Sequence, residues 1–72
     1  MTEVELLAAG IFQDALQIDT VGVHDSFFDL GGDSLRSAAA LRQLSAATVP
    51  ITARQFYREP TVAAVAKFIE TS

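Results

Sequence analysis

The feature that most restricts how this chain can fold is the stretch Phe27–Leu35, in which two adjacent glycines come shortly before a segment without helix breakers. Gly31 and Gly32 have no Cβ, so the backbone can turn sharply here and can stay bare for an approaching molecule. The stretch therefore predicts a tight turn that leaves Ser34 at an exposed corner.

The segment that begins at this corner has the composition of a helix. Between Ser34 and Leu44 there is neither Gly nor Pro, and Ala and Leu dominate. We expect a helix from Ser34 to about Ala46, with Asp33 or Ser34 as its N-cap. The Ser34 hydroxyl would then lie beside free N–H groups and the positive end of the helix dipole, an environment that favours a phosphate.

Local signals mark the other helices. The segments Thr2–Glu5 and Thr52–Gln55 have the spacing of a capping box, in which each side chain accepts a hydrogen bond from the backbone N–H of the other residue. Pro60 should end the short third helix, and Thr61 should cap a last one. With no sustained strand pattern, the sequence predicts an all-α fold: a small four-helix bundle with three longer helices, a short third helix, and a long loop between the first and second.

Apolar residues recur at helical spacing and indicate which faces are inward. The expected stripes are Val4, Leu7, Ile11, Ala15 and Leu16 in the first helix, Ala38, Leu41 and Leu44 in the second, and Val62, Val65, Ala66 and Ile69 in the last. Gly10 lies inside the first helix, and we expect it to allow close packing against another helix.

The periodicity fails between residues 17 and 32, where turn-forming residues collect. So long a connection in a small domain is usually functional or packed by its own side chains. The apolar residues that can supply this packing are Val21, Val23, Phe27, Phe28 and Leu30. His24 is expected to be an ordinary loop residue.

Composition excludes several classes of function. The 72 residues, expected to form one domain, include no cysteine and one histidine, which does not favour disulfides or a zinc site. The formal net charge is −4, and the five basic residues are scattered singly after residue 33, so nucleic-acid binding is disfavoured. The N-terminus lacks signal-peptide order and no apolar run reaches membrane-spanning length, so a cytoplasmic location without membrane association is expected.

One family combines these features. The segment Phe28–Leu35, Phe-Asp-Leu-Gly-Gly-Asp-Ser-Leu, resembles the modification motif of acyl and peptidyl carrier proteins, and is closest to the peptidyl carriers of nonribosomal peptide synthetases. The resemblance continues upstream through Val21–Phe28 and downstream through Phe56–Ala66, so it covers nearly the whole chain. It implies that residues 1–72 form a single carrier (thiolation) domain. It implies the same four-helix fold.

The resemblance also implies a covalent cofactor. Ser34 would be esterified with 4′-phosphopantetheine from coenzyme A, with Gly32, Asp33 and Leu35 as the flanking motif. The domain itself would be non-catalytic, and the thiol of the arm would hold an aminoacyl or peptidyl group as a thioester. The residues expected to contact partners are Leu35, Arg36, Ala39, Arg42 and Phe28.

The implied partners are a phosphopantetheinyl transferase, an adenylation domain or ligase, and condensation, epimerisation, thioesterase or tailoring enzymes. A monomer is expected. The chain departs from fatty-acid acyl carriers because its second helix carries Arg36 and Arg42 and no acid. Many peptidyl carriers have His at the position of Asp33; the Asp form resembles those that face epimerisation domains, and some free-standing ones.

Three alternatives compete with the peptidyl carrier. The first is an acyl carrier of a polyketide or other acyl pathway, and the second is an unmodified helical interaction domain. The third is an esterase, because Gly32-Asp33-Ser34-Leu35 also matches the signature of the GDSL family. A serine hydrolase needs a base, an orienting group and oxyanion donors. The only imidazole is His24 in the upstream loop, and the chain is too short for the sheet of that family, so the esterase interpretation is rejected.

Overall fold

The computed structural model describes residues 1–72 and contains four helices and no strand, as the sequence predicted. The helices are α1 (Glu3–Leu16), α2 (Ser34–Ala47), α3 (Ala53–Arg58) and α4 (Val62–Glu70). Helix α1 packs most extensively, against both α4 and α2, while the short α3 lies against α2. No helix is both long and apolar enough to span a bilayer.

The predicted caps set the start of each helix. Thr2 and Thr52 form complete capping boxes, and Thr61 accepts a hydrogen bond from the N–H of Ala64. The N-cap of α2, left open between two residues, is Asp33. Each of these bonds satisfies an N–H group that has no partner within the helix.

Three phenylalanines form the centre of the core. The rings of Phe12 on α1, Phe27 in the long loop and Phe56 on α3 are buried, with centroids 5.0 to 5.9 Å apart in edge-to-face arrangements. Edge-to-face pairs bring the positive ring edge against the negative ring face. The loop is therefore anchored in the same cluster as two of the helices.

The long loop is packed by its own apolar side chains, as predicted. Val21 and Phe27 are buried, and the other apolar residues named for this role are half-buried against the core. The Phe27 N–H donates to the Pro60 carbonyl at 2.8 Å, and the Ala63 N–H donates to the Val23 carbonyl at 2.9 Å. These bonds hold the loop against the junction of α3 and α4, and His24 is an exposed loop residue, also as predicted.

The inward face of α1 differs from the predicted stripe. Leu7 is 41% exposed, whereas Ala8 and Phe12, which the stripe omitted, are completely buried. Because α1 contacts both α2 and α4, its buried face is wider than one stripe and is centred on these two residues. Ile11 and Leu16 are buried as predicted.

The inward face of α2 was also assigned wrongly in part. Leu44 is buried and Leu41 half-buried, but Ala38 is exposed, and Ser37 and Ala40 lie inside instead. The sequence favoured Ala38 because it is apolar. Ser37 can lie in the interior, although it is polar, because its hydroxyl is hydrogen-bonded there to the Ser34 carbonyl and to the Tyr57 hydroxyl. In α4 the prediction holds, with Val62, Val65 and Ala66 buried and Ile69 packed against the core.

The expectation for Gly10 is wrong. It is exposed, and a Cβ built on it would have no neighbouring atom within 4 Å. The two helices that pack on α1, α2 and α4, contact other faces of it.

Candidate functional site

The corner between the long loop and α2 places Ser34 as the first residue of the helix, with its side chain exposed. Asp33 caps the helix, accepting the Arg36 N–H at Oδ1 over 2.8 Å, and its carbonyl accepts the Ser37 N–H at 2.9 Å. The N–H groups of Ser34 and Leu35 donate to no acceptor of the chain. The exposed hydroxyl therefore lies next to two free donors at the positive end of a helix.

The two glycines before the corner have different physical roles. Gly31 has φ +104°, in a region that residues with a Cβ rarely adopt, so it makes the sharp turn that the sequence predicted. Gly32 does not leave the loop bare. Its N–H donates to the Phe27 carbonyl at 3.0 Å, and a Cβ at this residue would lie 2.3 Å from the Phe27 ring. Gly32 is thus needed for close packing on the core.

The residues expected to contact partners fall into two groups. Leu35 is 81% exposed, and Arg36 and Arg42 are also exposed on α2, with Ala39 half-buried between them. Phe28 is separate from this surface. It is half-buried, stacks on Tyr57 with a centroid distance of 5.4 Å, and makes edge-to-face contacts with Phe27 and Phe56.

Arg36 also pairs with the N-cap. Its guanidinium Nη1 lies 3.1 Å from Asp33 Oδ2, and both side chains are about half exposed. The same carboxylate therefore caps the helix with one oxygen and binds the cation with the other.

Two functional candidates were missed by sequence reasoning. The Ser37 hydroxyl donates to the Ser34 carbonyl at 3.0 Å and lies 2.9 Å from the Tyr57 hydroxyl on α3. The signal in the sequence was the spacing of residues 37, 40 and 44, which puts a polar residue on an otherwise apolar face. Nothing local in the sequence indicates that Tyr57 is its partner.

The comparison with protein families decides the assignment of the chain. The family model described as "Phosphopantetheine attachment site" matches residues 8–69. The chain belongs to this attachment-site family. A covalently attached phosphopantetheine is the cofactor that this membership implies.

The relatives of this carrier domain include synthetases of peptide antibiotics. The domain is 42% identical over 71 residues to tyrocidine synthase 3 of Brevibacillus parabrevis, covering 97% of this chain and 1% of the synthase. It is 39% identical over 61 residues to tyrocidine synthase 2 of the same organism, covering 85% of this chain and 2% of that synthase. The domain thus spans only 1% to 2% of the length of these relatives.

Solved structures give the same result. A chain in the structure of the phosphopantetheine transferase Sfp in complex with coenzyme A and a peptidyl carrier protein has a TM-score of 0.96 and 27% identity, covering 100% of this chain and 95% of that one. A nonribosomal peptidyl carrier domain has a TM-score of 0.83 and 34% identity, covering 93% and 87%. The predicted resemblance and fold are confirmed: this is a carrier domain of the type found in nonribosomal peptide synthetases.

The corner at Ser34 fits a phosphopantetheine ester. The hydroxyl is exposed, the N–H groups of Ser34 and Leu35 at the start of the helix have no acceptor, and the neighbouring carboxylate of Asp33 is paired with Arg36. The Phe27 ring packs directly against Gly32, so there is no open space between the turn and the core at this residue.

Proposed function

We propose that Ser34 is the residue esterified with 4′-phosphopantetheine from coenzyme A, and that residues 1–72 act as one carrier domain. In this role the domain holds aminoacyl or peptidyl intermediates and presents them to partner enzymes in nonribosomal peptide, or secondary metabolite, biosynthesis. The observation that carries the proposal is the exposure of the Ser34 side chain at the N-terminus of α2, directly after the Gly31-Gly32 turn.

The chain's own residues position Ser34 but do not activate it. No hydrogen bond links a basic side chain to the Ser34 hydroxyl, and His24 is in the exposed part of the loop. A transferase would therefore bring the base, which takes the serine proton, together with Mg²⁺. The serine oxygen would attack the β-phosphate of coenzyme A, the bond from that phosphorus to the bridging oxygen would break, and adenosine 3′,5′-bisphosphate would leave. Once attached, the arm supplies a terminal thiol that carries the acyl group as a thioester. On this proposal the domain is not an enzyme.

The free donors at the start of α2 would hold the phosphate. The N–H groups of Ser34 and Leu35 can donate to its oxygens without breaking any bond of the fold. Arg36 offsets the negative charge of Asp33 at the same corner. The bundle remains rigid, and the long arm gives each partner a high effective concentration of the bound intermediate.

The docking surface in this proposal is formed by Leu35, Arg36, Ala39 and Arg42 on α2. Exposed leucine beside two cations suits a partner with an apolar pocket and acidic residues around it. Phe28, the fifth residue predicted for docking, is half-buried and stacks on Tyr57, so less of its side chain is available to a partner.

The partners proposed are a phosphopantetheinyl transferase, an adenylation domain or ligase, and condensation, epimerisation, thioesterase or tailoring enzymes. Support comes from the similarity to a structure that contains Sfp and coenzyme A, and from a second, of the McyG A-PCP complexed with phenylalanyl-adenylate, with TM-score 0.92 and 30% identity. The latter match covers 96% of this chain and 11% of that one. A monomer in the cytoplasm, where coenzyme A is available, completes the proposal.

Intact-mass measurement tests the central step. The protein is incubated with coenzyme A, Mg²⁺ and a phosphopantetheinyl transferase of broad specificity. Wild type should gain the mass of one phosphopantetheinyl group, and Ser34→Ala should gain none. Ser45→Ala, which removes a hydroxyl from the same helix, is the matched control and should be modified like wild type. An unmodified wild type, or an adduct on Ser34→Ala, would overturn the assignment.

A further inference from the structure

The Ser37 hydroxyl joins two elements that are far apart in the sequence. Its oxygen lies 3.0 Å from the Ser34 carbonyl and 2.9 Å from the Tyr57 hydroxyl, and the Ser37 side chain is fully buried. A hydroxyl has one proton, and a carbonyl can only accept. The Ser37 proton must therefore go to the Ser34 carbonyl, which leaves Tyr57 as the donor to Ser37.

These two bonds form a directed chain from Tyr57 through Ser37 to Ser34. Hydrogen bonds in series polarise and strengthen one another. The chain ends on the carbonyl of Ser34 itself, so it restrains the peptide plane that follows the serine. It thereby restrains the direction in which the Ser34 side chain points from the first turn of α2.

The ring of Tyr57 makes a second contact with the same region. It stacks on Phe28 at a centroid distance of 5.4 Å and an interplanar angle of 23°. Phe28 belongs to the loop that enters the corner, while Ser37 belongs to the helix that leaves it. One side chain on α3 thus contacts the chain on both sides of Ser34.

We propose that Tyr57 is a positioning residue for Ser34: its hydroxyl orients the first turn of α2 through Ser37, and its ring fixes the incoming loop through Phe28. This inference rests on the proposed function of Ser34 as the attachment residue. Helix α3 has only six residues, too few to be stable alone. Its docking against α2 and the orientation of Ser34 are therefore linked through Tyr57.

The test compares wild type with Tyr57→Phe, which removes the hydroxyl and keeps the ring, with Ser37→Ala, and with the double variant. Neither single change threatens folding, since the first deletes one oxygen and the second puts an apolar side chain at a buried position. Ser45→Ala is the matched control. Its hydroxyl, also on α2, accepts the Ile51 N–H at 3.2 Å and does not contact the corner.

Two measurements are made on each variant. The first is hydrogen exchange of the Arg36 and Ser37 amides by NMR on the unmodified protein, which reports on the first turn directly. The second is the modification rate with coenzyme A and a phosphopantetheinyl transferase, resolved into kcat and KM for the carrier.

We expect Tyr57→Phe and Ser37→Ala each to speed exchange at these two amides and to lower kcat by about 2- to 10-fold, the range that one net hydrogen bond supports. KM should stay near wild type because the exposed face of α2 is intact. The double variant should be no worse than Ser37→Ala, since both changes break the same chain. Ser45→Ala should leave exchange at both amides unchanged.

The inference would be overturned if Tyr57→Phe showed the same exchange rates at the Arg36 and Ser37 amides and the same kcat as the wild type. Equal exchange with a lower melting temperature would do the same, because Tyr57 would then act only on stability. If the wild type gains no adduct at all, it is the proposed function that fails, and the exchange measurement still decides whether Tyr57 orients the turn.

Discussion

The ring of Phe27 occupies the space that a Cβ at residue 32 would need, with its Cδ2 atom 2.3 Å from the ideal Cβ position of Gly32. Phe27 is also a member of the buried aromatic cluster, in contact with Phe12 and Phe56. The turn that presents Ser34 is therefore seated directly on the core. Its geometry depends on the packing of the bundle as well as on local glycine freedom.

Replacing Gly32 by Ala should lower the free energy of unfolding by about 1–3 kcal/mol, because the added methyl overlaps the Phe27 ring. Urea denaturation measures the change. In the double variant Gly32→Ala with Phe27→Leu, the loss in free energy of unfolding should be less than the sum of the losses in the two single variants, since the smaller Leu side chain leaves room for the added methyl. Gly31→Ala is the control. It is strained by its φ of +104° but has no atom near its Cβ, so its cost should add to that of Phe27→Leu. If the losses for Gly32→Ala and Phe27→Leu simply added in the double variant, the steric explanation would be wrong.

Replacing Gly10 by Ala should raise the free energy of unfolding by about 1 kcal/mol. The residue is inside α1, is exposed, and has open space where the Cβ would go, so only the helix propensity changes. Thermal and urea denaturation measure the effect. A loss of stability would show that this face of α1 needs a residue without a side chain.

The parts of the fold that the sequence revealed are those encoded within a few residues. The four N-caps depend on side chains three residues from the N–H groups they satisfy, so Thr2, Thr52 and Thr61 could be identified from spacing. For the second helix, spacing narrowed the cap to two adjacent residues, of which the structure selects Asp33. The exposed Ser34 also follows locally, from the turn and the helix start.

The errors came from residues whose surroundings are set by distant parts of the chain. In α2, several small residues fit more than one face, and Ser37 is turned inward because Tyr57, twenty residues away, supplies its hydroxyl partner. The sequence does not show which glycine is needed for close packing: a Cβ at Gly32 would overlap the Phe27 ring, whereas a Cβ at Gly10 would meet no atom. The spacing of apolar residues predicts that a segment is helical. Which of several similar faces of that helix is buried depends on contacts with distant parts of the chain.

Replacing Leu35 by Asp should slow modification by the transferase and leave the melting temperature and helical circular dichroism nearly unchanged. Leu35 is 81% exposed, so the change removes little buried surface, but it places a charge in the proposed docking surface. Leu6→Asp is the matched control, because Leu6 is 59% exposed on α1, and it should be modified at the wild-type rate. A collapse in stability of the Leu35 variant would mean that this residue is part of the core. Equal rates for both variants would remove Leu35 from the docking surface.

Replacing Arg36 by Gln should slow modification by about threefold, with little effect on stability. The ion pair with Asp33 is half-exposed and contributes little to folding. Without the cation, the Asp33 carboxylate repels the phosphate that approaches Ser34. Two unit charges about 6 Å apart in water interact by roughly 0.7 kcal/mol, which corresponds to this factor. The modification rate at low salt measures the effect, and it should shrink in high salt because the charges are exposed.

A second change separates charge compensation from direct contact with a partner. Asp33→Asn keeps an N-cap of similar quality while removing the carboxylate. If Arg36 acts by neutralising Asp33, the double variant Asp33→Asn with Arg36→Gln should recover the wild-type rate, because neither charge is left uncompensated. If Arg36 instead binds an acidic group of the transferase, the double variant should remain as slow as Arg36→Gln. Recovery would show that Arg36 acts by neutralising the Asp33 carboxylate beside the modified serine, and would remove Arg36 from the proposed docking surface. A rate that stays low would contradict charge compensation and keep Arg36 in that surface.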